Sequence, residues 1–323
     1  MITLPKYRGE VRHNFNLSNL TWFKVGGCAE VLFKPTDIDD LSHFLAHLDQ
    51  EIPVHIIEAG SNIIVRDSGI DGVVVKLGRG FGDIAPVTPA EAGAQNLYNL
   101  DSQTSTKPSA EVGGNDHYLL LKVGAAALNY SLAQYALQSG FQGLEFLVGI
   151  PGTIGGGIAM NAGSYGSEFK DILHSITMLD RNGQKHILHT EEMGFGYRHN
   201  NLKDWAIFVE ATFCVRSGDK EQIKAKMDEI STARQQTQPI NQKTGGSTFA
   251  NPDGYKAWQL VDQVGMRGFT IGGAQFSPLH CNFMVNTGNA TATELEELGE
   301  MARAKVMEQT GVELKWEIKR IGK

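Results

Sequence analysis

The chain has 323 residues, 41% of them apolar and 20% charged, with a net charge of −7. That length supports two or three domains with sizeable cores, and the acidic balance without any basic run excludes a broad nucleic-acid surface. Its three cysteines, Cys28, Cys214 and Cys281, are odd in number and far apart, which excludes a disulfide framework and a cysteine zinc site.

In chain order, Trp22 to Gly26 alternates toward a Gly-Gly turn, and a second strand is predicted over Ala29 to Lys34. Thr36, with Asp39 three positions on, caps a helix whose stripe is Ile38, Leu41, Leu45 and Leu48. The short apolar run Val54 to Ile57 is a strand that ends at Gly60-Ser61-Asn62, and Ile70 to Leu77 is another strand. Residues 85–117 have few branched or aromatic side chains and read as a mobile insertion in a hairpin. A strand at Leu119 to Val123 and a helix at Leu128 to Ser139 follow, the helix stopped by Gly140. Arg181-Asn182-Gly183 lies between alternating runs, a hairpin signal. Ala206 to Val215 is the next strand.

The composition shifts at Ser217 to Lys220, which is the expected domain boundary. Glu221 to Gln236 and Ala257 to Val264 read as helices, and Thr244 to Pro252 as a loop between them. Strands follow at Ile271 to Phe276 and Asn282 to Val285. The last helix begins at Thr291 with Glu294, and a strand from Val312 to Ile321 closes the chain. No run reaches about 18 apolar residues and the first residues form no apolar core of a leader, so no membrane insertion and a cytoplasmic location are expected. The ten histidines show no metal-site spacing, so no metal is expected.

The densest signal is the stretch from Gly143 to Gly166, in which Glu145 is the one ionised side chain. Glycines are placed where the backbone takes positive φ or is closely approached. Bare N–H groups in such a loop suit an anion, above all phosphate, and Ile150, Ile154, Ile158 and Met160 offer apolar contact beside them. Together they describe a nucleotide cofactor site. Neither a Walker loop nor a strand–G-x-G-x-x-G–helix fingerprint is present.

Ile150-Pro-Gly-Thr-Ile-Gly-Gly-Gly-Ile-Ala-Met-Asn-Ala-Gly-Ser-Tyr-Gly166 resembles the flavin-binding signature of bacterial UDP-N-acetylenolpyruvoylglucosamine reductases, and Gly60-Ser61-Asn62-Ile63 resembles that family's second flavin loop. The resemblance implies an α+β flavoprotein in three parts, with a PCMH-type FAD-binding fold and a C-terminal α+β substrate domain. Residues 1–76 and 77–217 would hold FAD, residues 218–312 would bind substrate, and 313–323 would return to the first part. The cofactor-binding positions implied are Gly60, Ser61, Asn62, Ile63, Pro151, Gly152, Thr153, Ile154, Gly155, Gly156, Asn161 and Gly163.

Three further positions match the family's proton chemistry: Arg198 after Tyr197, Ser247 in Gly-Ser-Thr-Phe-Ala-Asn-Pro, and Glu317 near the Ile-Gly ending. Read without the resemblance, each has a plain explanation. Arg198 starts a loop, Ser247 closes a turn, and Glu317 alternates with lysines on a solvated strand face. The implied reaction is reduction of an enolpyruvyl ether on a UDP-linked amino sugar by NADPH through FAD. Arg198 would oppose the developing charge, Ser247 would supply the proton, and Glu317 would act as a neutral acid with a raised pKa. Tyr165, Tyr197, Arg234, Asn251, Arg267, His280 and Asn282 are the implied substrate contacts. Arg267 and Ala250 stand where relatives often have lysine. With only Arg216-Ser217-Gly218 before the next helix, the chain falls in the subgroup without an extra tyrosine-bearing loop, and it is expected to act as a monomer.

The two flavin loops alone also fit an alcohol-acting oxidase or dehydrogenase, or a binding module without turnover. The Tyr-Arg, Ser and Glu set disfavours the oxidase.

Overall fold

The structure is a computed structural model that describes residues 2–87, 118–202 and 206–323. Its first sheet has the strand order Glu10–Asn16, Cys28–Lys34, Ile70–Val75, Val54–Ile56. The outer pair at Glu10 is antiparallel and the other neighbours are parallel. Valines at 31, 73, 74 and 75 are fully buried, as expected for a strand covered on both faces.

The helix Ile38–His47 covers this sheet. Its cap is Asp37, not Thr36: the Asp37 side chain accepts the Asp40 N–H at 2.9 Å. Asp40 is buried because it is fully used, accepting the N–H groups of Arg8, Gly9 and Thr36 at 2.7 to 2.9 Å.

The second sheet is antiparallel, in the order Lys185–His189, Leu173–Leu179, Ile207–Ser217, Tyr118–Gly124, Ile84–Pro86. The Arg181-Asn182-Gly183 hairpin forms as its sequence signals, with Asp180 accepting the Asn182 and Gln184 N–H groups at 2.8 Å each. Pairing of Ile84–Pro86 with residues 121–123 carries the ladder past the expected start of the insertion at 85; residues 88–117, the remainder of that expected insertion, lie outside the described residues.

Helix Lys220–Thr237 sends Ile223, Met227 and Ile230 into the core shared by the first two sheets. The apolar contacts therefore divide the chain after this helix rather than before it at 217/218. A separate core joins the third sheet to helices Ala257–Gln263 and Ala292–Thr310. That sheet runs Lys243–Ser247, Phe283–Asn286, Ala274–Phe276, Thr270–Ile271.

Four sequence expectations shift. Residues 22–26 make a turn, not a strand: Lys24 has φ 59°, and the Thr21 hydroxyl donates to the Val25 carbonyl at 2.8 Å. The expected 244–252 loop begins as the bulged strand Lys243–Ser247. The expected strand at 271–276 is a small hairpin of two short strands. The expected terminal strand pairs regularly only over Lys319–Ile321, parallel to Ile63–Val65, and so returns the C-terminus to the Ser61-Asn62 loop.

Candidate active site

Strand Val54–Ile56 delivers the chain to Gly60, whose φ is +65° and whose missing Cβ would lie 2.2 Å from the Leu20 carbonyl oxygen. No larger residue fits that approach. Facing it is Gly152, φ +113°, where a Cβ would lie 2.8 Å from Ser61 Oγ. The two glycine loops of the sequence thus meet across a narrow gap.

After Thr153 the second loop becomes a short helix, Ile154–Ala159, three of whose residues are glycine. Such a sequence is a poor helix former, and packing explains it: a Cβ on Gly157 would lie 2.3 Å from the Phe169 ring, and one on Gly155 would lie 2.2 Å from a Glu58 carboxylate oxygen. Bare backbone on both sides of the gap, with Ile150, Ile154 and Ile158 behind it, fits a dinucleotide's diphosphate and an apolar ring. Asn62 links this gap to the C-terminal segment, donating to the Glu317 carbonyl at 3.2 Å and to the Met160 sulfur at 3.4 Å.

Arg198 and Glu317 meet, and the backbone next to Ser247 bonds Glu317. Arg198 Nε donates to Glu317 Oε1 at 3.1 Å, and its Nη2 donates to the Gly163 carbonyl at 3.1 Å. Arg198 stands at φ +55° in the turn that Gly196 and His199 close, with its guanidinium 5.2 Å from the Tyr197 ring centroid. The Glu317 N–H donates to the Thr248 carbonyl at 2.9 Å, which sets Ser247 one residue away. The Glu317 side chain is only 11% exposed. Burial raises its pKa above the usual carboxylate value, and the charge and hydrogen bond of Arg198 offset that in part. The solvated strand face expected from its lysine neighbours is therefore not where Glu317 points.

Other candidates divide by what their side chains do. Asn161 is fully buried and donates to the Gly196 carbonyl and Glu168 at 3.0 Å each while accepting the Lys170 N–H at 3.0 Å. Its side chain thus braces the Arg198 turn. Gly163 likewise serves Arg198 through its carbonyl.

Tyr165 and Tyr197 are exposed. Arg234, half-buried, lies near Tyr165 and donates to Gln238 at 3.1 Å; burial pulls its pKa down. Asn282 is buried, its amide clamped on the Phe249 backbone at 3.1 and 2.8 Å, so it holds the Ser247 loop. Asn251 accepts the Ala257 N–H at 3.0 Å and caps the next helix. Arg267 forks onto Asp262 at 2.8 and 2.6 Å and onto the Pro278 carbonyl. The His280 ring packs 4.7 Å from Phe283.

Sequence reasoning missed Glu58. It sits two residues before Gly60 at a strand end, where a lone carboxylate beside a phosphate-type loop is itself a signal. Here it accepts the Gly156 N–H at 3.1 Å and the Thr153 hydroxyl.

Two α+β sheets that present facing glycine loops, with a third sheet closing on an Arg–Glu pair, define an FAD-containing oxidoreductase of the PCMH-type fold. The FAD binding domain model matches residues 110–189, and the model of the C-terminal domain of UDP-N-acetylenolpyruvoylglucosamine reductase matches residues 238–321. The chain is 50% identical over 323 residues to the UDP-N-acetylenolpyruvoylglucosamine reductase of Orientia tsutsugamushi (strain Ikeda), covering all of this chain and 98% of that relative. It is 51% identical over 322 residues to that of Rickettsia bellii (strain RML369-C), covering all of this chain and 97% of the relative. The crystal structure of the Thermus caldophilus reductase superposes with a TM-score of 0.76 at 30% identity, covering 98% of this chain and all of that one. The chain belongs to the UDP-N-acetylenolpyruvoylglucosamine reductase family.

Proposed function

We propose that this protein reduces UDP-N-acetylglucosamine enolpyruvate to UDP-N-acetylmuramate, a step in making peptidoglycan precursor, with NADPH as reductant, and that it acts as a cytoplasmic monomer. Its family membership supports the substrate class. The observation that carries the residue assignment is the Arg198–Glu317 contact beside the Ser247 loop, on the segment tied to Asn62.

When bound, FAD would supply the hydride for this reduction. Gly60, Ser61, Asn62 and Ile63 would hold it from one side, and Pro151 to Gly156 from the other. Arg198 is held by Gly163 and Glu317, and its guanidinium would bind the enolpyruvyl carboxylate and oppose charge developing beside it. Glu317 in its neutral form donates a hydrogen bond to the same charge, where an ionised carboxylate would repel it. Ser247 then gives its proton to the carbanion-like carbon, a base strong enough to take it from a hydroxyl.

Tyr165, Tyr197 and Arg234 are the side chains with surface to offer the sugar and diphosphate; Asn282 and Asn251 would act through the loop they hold. Arg267, already forked onto Asp262, and His280 would be offered to the nucleotide end. Gly218 and Asp219 alone join strand Ile207–Ser217 to helix Lys220–Thr237, which supports the subgroup without the tyrosine loop.

The test is anaerobic. NADPH should bleach the flavin, and colour should return on adding the UDP-enolpyruvyl sugar and not on adding an alcohol-derived carbonyl compound. Recovery without the sugar would falsify the assignment.

A further inference from the structure

The Glu58 carboxyl lies inside the cleft assigned above to FAD, and the scheme just given leaves it no task. Its Oε2 accepts the Gly156 N–H at 3.1 Å and the Thr153 hydroxyl, two donors of the loop that faces Ser61. Its Oε1 fills the space where a Cβ on Gly155 would stand, 2.2 Å away. One carboxyl therefore occupies both the donors and the bare backbone of that loop. The nearest cation does not neutralise it directly: Lys76 Nζ donates to the Glu58 backbone carbonyl. Lys34 stands near Lys76 and is the other charge on this side.

We propose that Glu58 is a cofactor-site residue that gates FAD loading: as a neutral acid it yields the Thr153 and Gly156 donors to the diphosphate, and as a carboxylate it holds them and repels the incoming anion. The proposal rests on the reading that the facing loops form the FAD cradle. A carboxylate only accepts hydrogen bonds, so in that form it competes with diphosphate oxygens for the same two donors; the acid form has an O–H to donate to them. Like charges at contact distance in a site of low dielectric strongly disfavour joint occupancy.

Burial pushes the Glu58 pKa up to about 8, against the pull of the Gly156 N–H and of Lys76. The acid form therefore prevails at neutral pH, and the carboxylate above pH 8. Lys76, whose own pKa burial lowers, is the other group facing the site that can lose a charge as pH rises.

The experiment is FAD binding by flavin-free protein, followed by quenching of flavin fluorescence from pH 7 to pH 9. Wild-type affinity should fall about tenfold over that interval, the factor for one proton taken up against a pKa near 8. Glu58→Gln, which keeps the shape and cannot ionise, should stay nearly flat. Titration calorimetry of the wild type at pH 8.5, in buffers of different ionisation enthalpy, should show uptake of most of one proton per FAD. Absence of that uptake would overturn the role of Glu58 even if the variant folds poorly. Parallel slopes in wild type and Glu58→Gln would assign the loss to Lys76 and overturn the role of Glu58 while leaving the cradle intact. Gly152→Ala tests the cradle itself, since its Cβ would crowd Ser61: unchanged FAD affinity there would overturn both the cradle and the proposal.

Discussion

Arg198 and Glu317, 119 residues apart in the chain, meet at 3.1 Å through Nε and Oε1. Burial raises the Glu317 pKa, and Arg198 pulls it back by charge and hydrogen bond. In the proposed mechanism the working form is the acid, so substrate-driven reoxidation of reduced flavin should slow as pH rises through that raised value. Glu317→Gln should flatten this limb. Arg198→Met removes the two influences that lower the pKa, so the limb should move to higher pH even though the overall rate falls. Stopped-flow traces of the flavin absorbance would follow it. Movement to lower pH would show that the limb belongs to another group.

Ser247 is held at the strand end, where it pairs with Phe283, and by its neighbour Thr248. Thr248 accepts the Glu317 N–H at 2.9 Å and donates its own N–H to the Asn282 carbonyl at 2.7 Å. Ser247→Ala changes neither bond. It should leave reduction of the flavin by NADPH near the wild-type rate and slow reoxidation by the sugar about 10²- to 10⁴-fold, the usual range for one positioned proton donor. Equal slowing of both half-reactions would mean the hydroxyl supports structure alone.

Asn161 couples the flavin loop to the Arg198 turn. Its amide donates to the Gly196 carbonyl, and its oxygen accepts the Lys170 N–H. Asn161→Ala leaves the Lys170 N–H without its partner and the Gly196 carbonyl with only the longer bond from the His199 N–H at 3.3 Å, at a cost of about 1–3 kcal/mol in all. The expected result is a lowered Tm, retained FAD, and substrate-driven reoxidation impaired more than NADPH-driven reduction. Loss of FAD in equal measure would place Asn161 in the cofactor site itself.

What the sequence displays and what it hides follow from the range of the interactions. Local rules place the Thr291–Glu294 capping box, the Gly140 stop and the Asn182-Gly183 hairpin, because each is decided within a few residues. They fail at Glu317. The alternation with Lys315 and Lys319 predicts solvent, yet the segment is not a regular strand there, and Arg198 arrives from a turn distant in the chain. They fail also at residues 154–159, where three glycines argue against the helix that forms. Phe169 and Glu58, distant in sequence, require those positions to be bare. Motif resemblance reached Arg198, Ser247 and Glu317 because it encodes such distant meetings, and it passed over Glu58, which lies just outside the quoted loop.

The Gly157–Phe169 contact makes a stability prediction. A Cβ at 157 would fall 2.3 Å from a fully buried ring. Gly157→Ala should therefore lower stability by about 1–3 kcal/mol despite alanine's better helix propensity. Phe169→Leu alone should also destabilise. The two together should be better than the sum of the separate losses, since the smaller side chain makes room for the methyl group. Denaturant melts of the four proteins give the coupling, and strict additivity would count against the contact.

Glu58 makes the last prediction, on the stability of the flavin-free protein. An unperturbed glutamate ionises near 4.5, and this one near 8 when folded. Between those values the folded chain keeps a proton that the unfolded chain releases. Folding then takes up a proton, so stability falls as pH rises across that window, and the loss is complete above pH 8. Glu58→Gln has no such loss. Its Tm relative to wild type should climb from pH 5 to pH 8 and level off at higher pH. Saturating FAD, by holding Glu58 protonated, should carry the climb on beyond pH 8 where the flavin-free proteins level off, whereas a constant Tm difference at every pH would show that its carboxyl is already ionised in the folded chain.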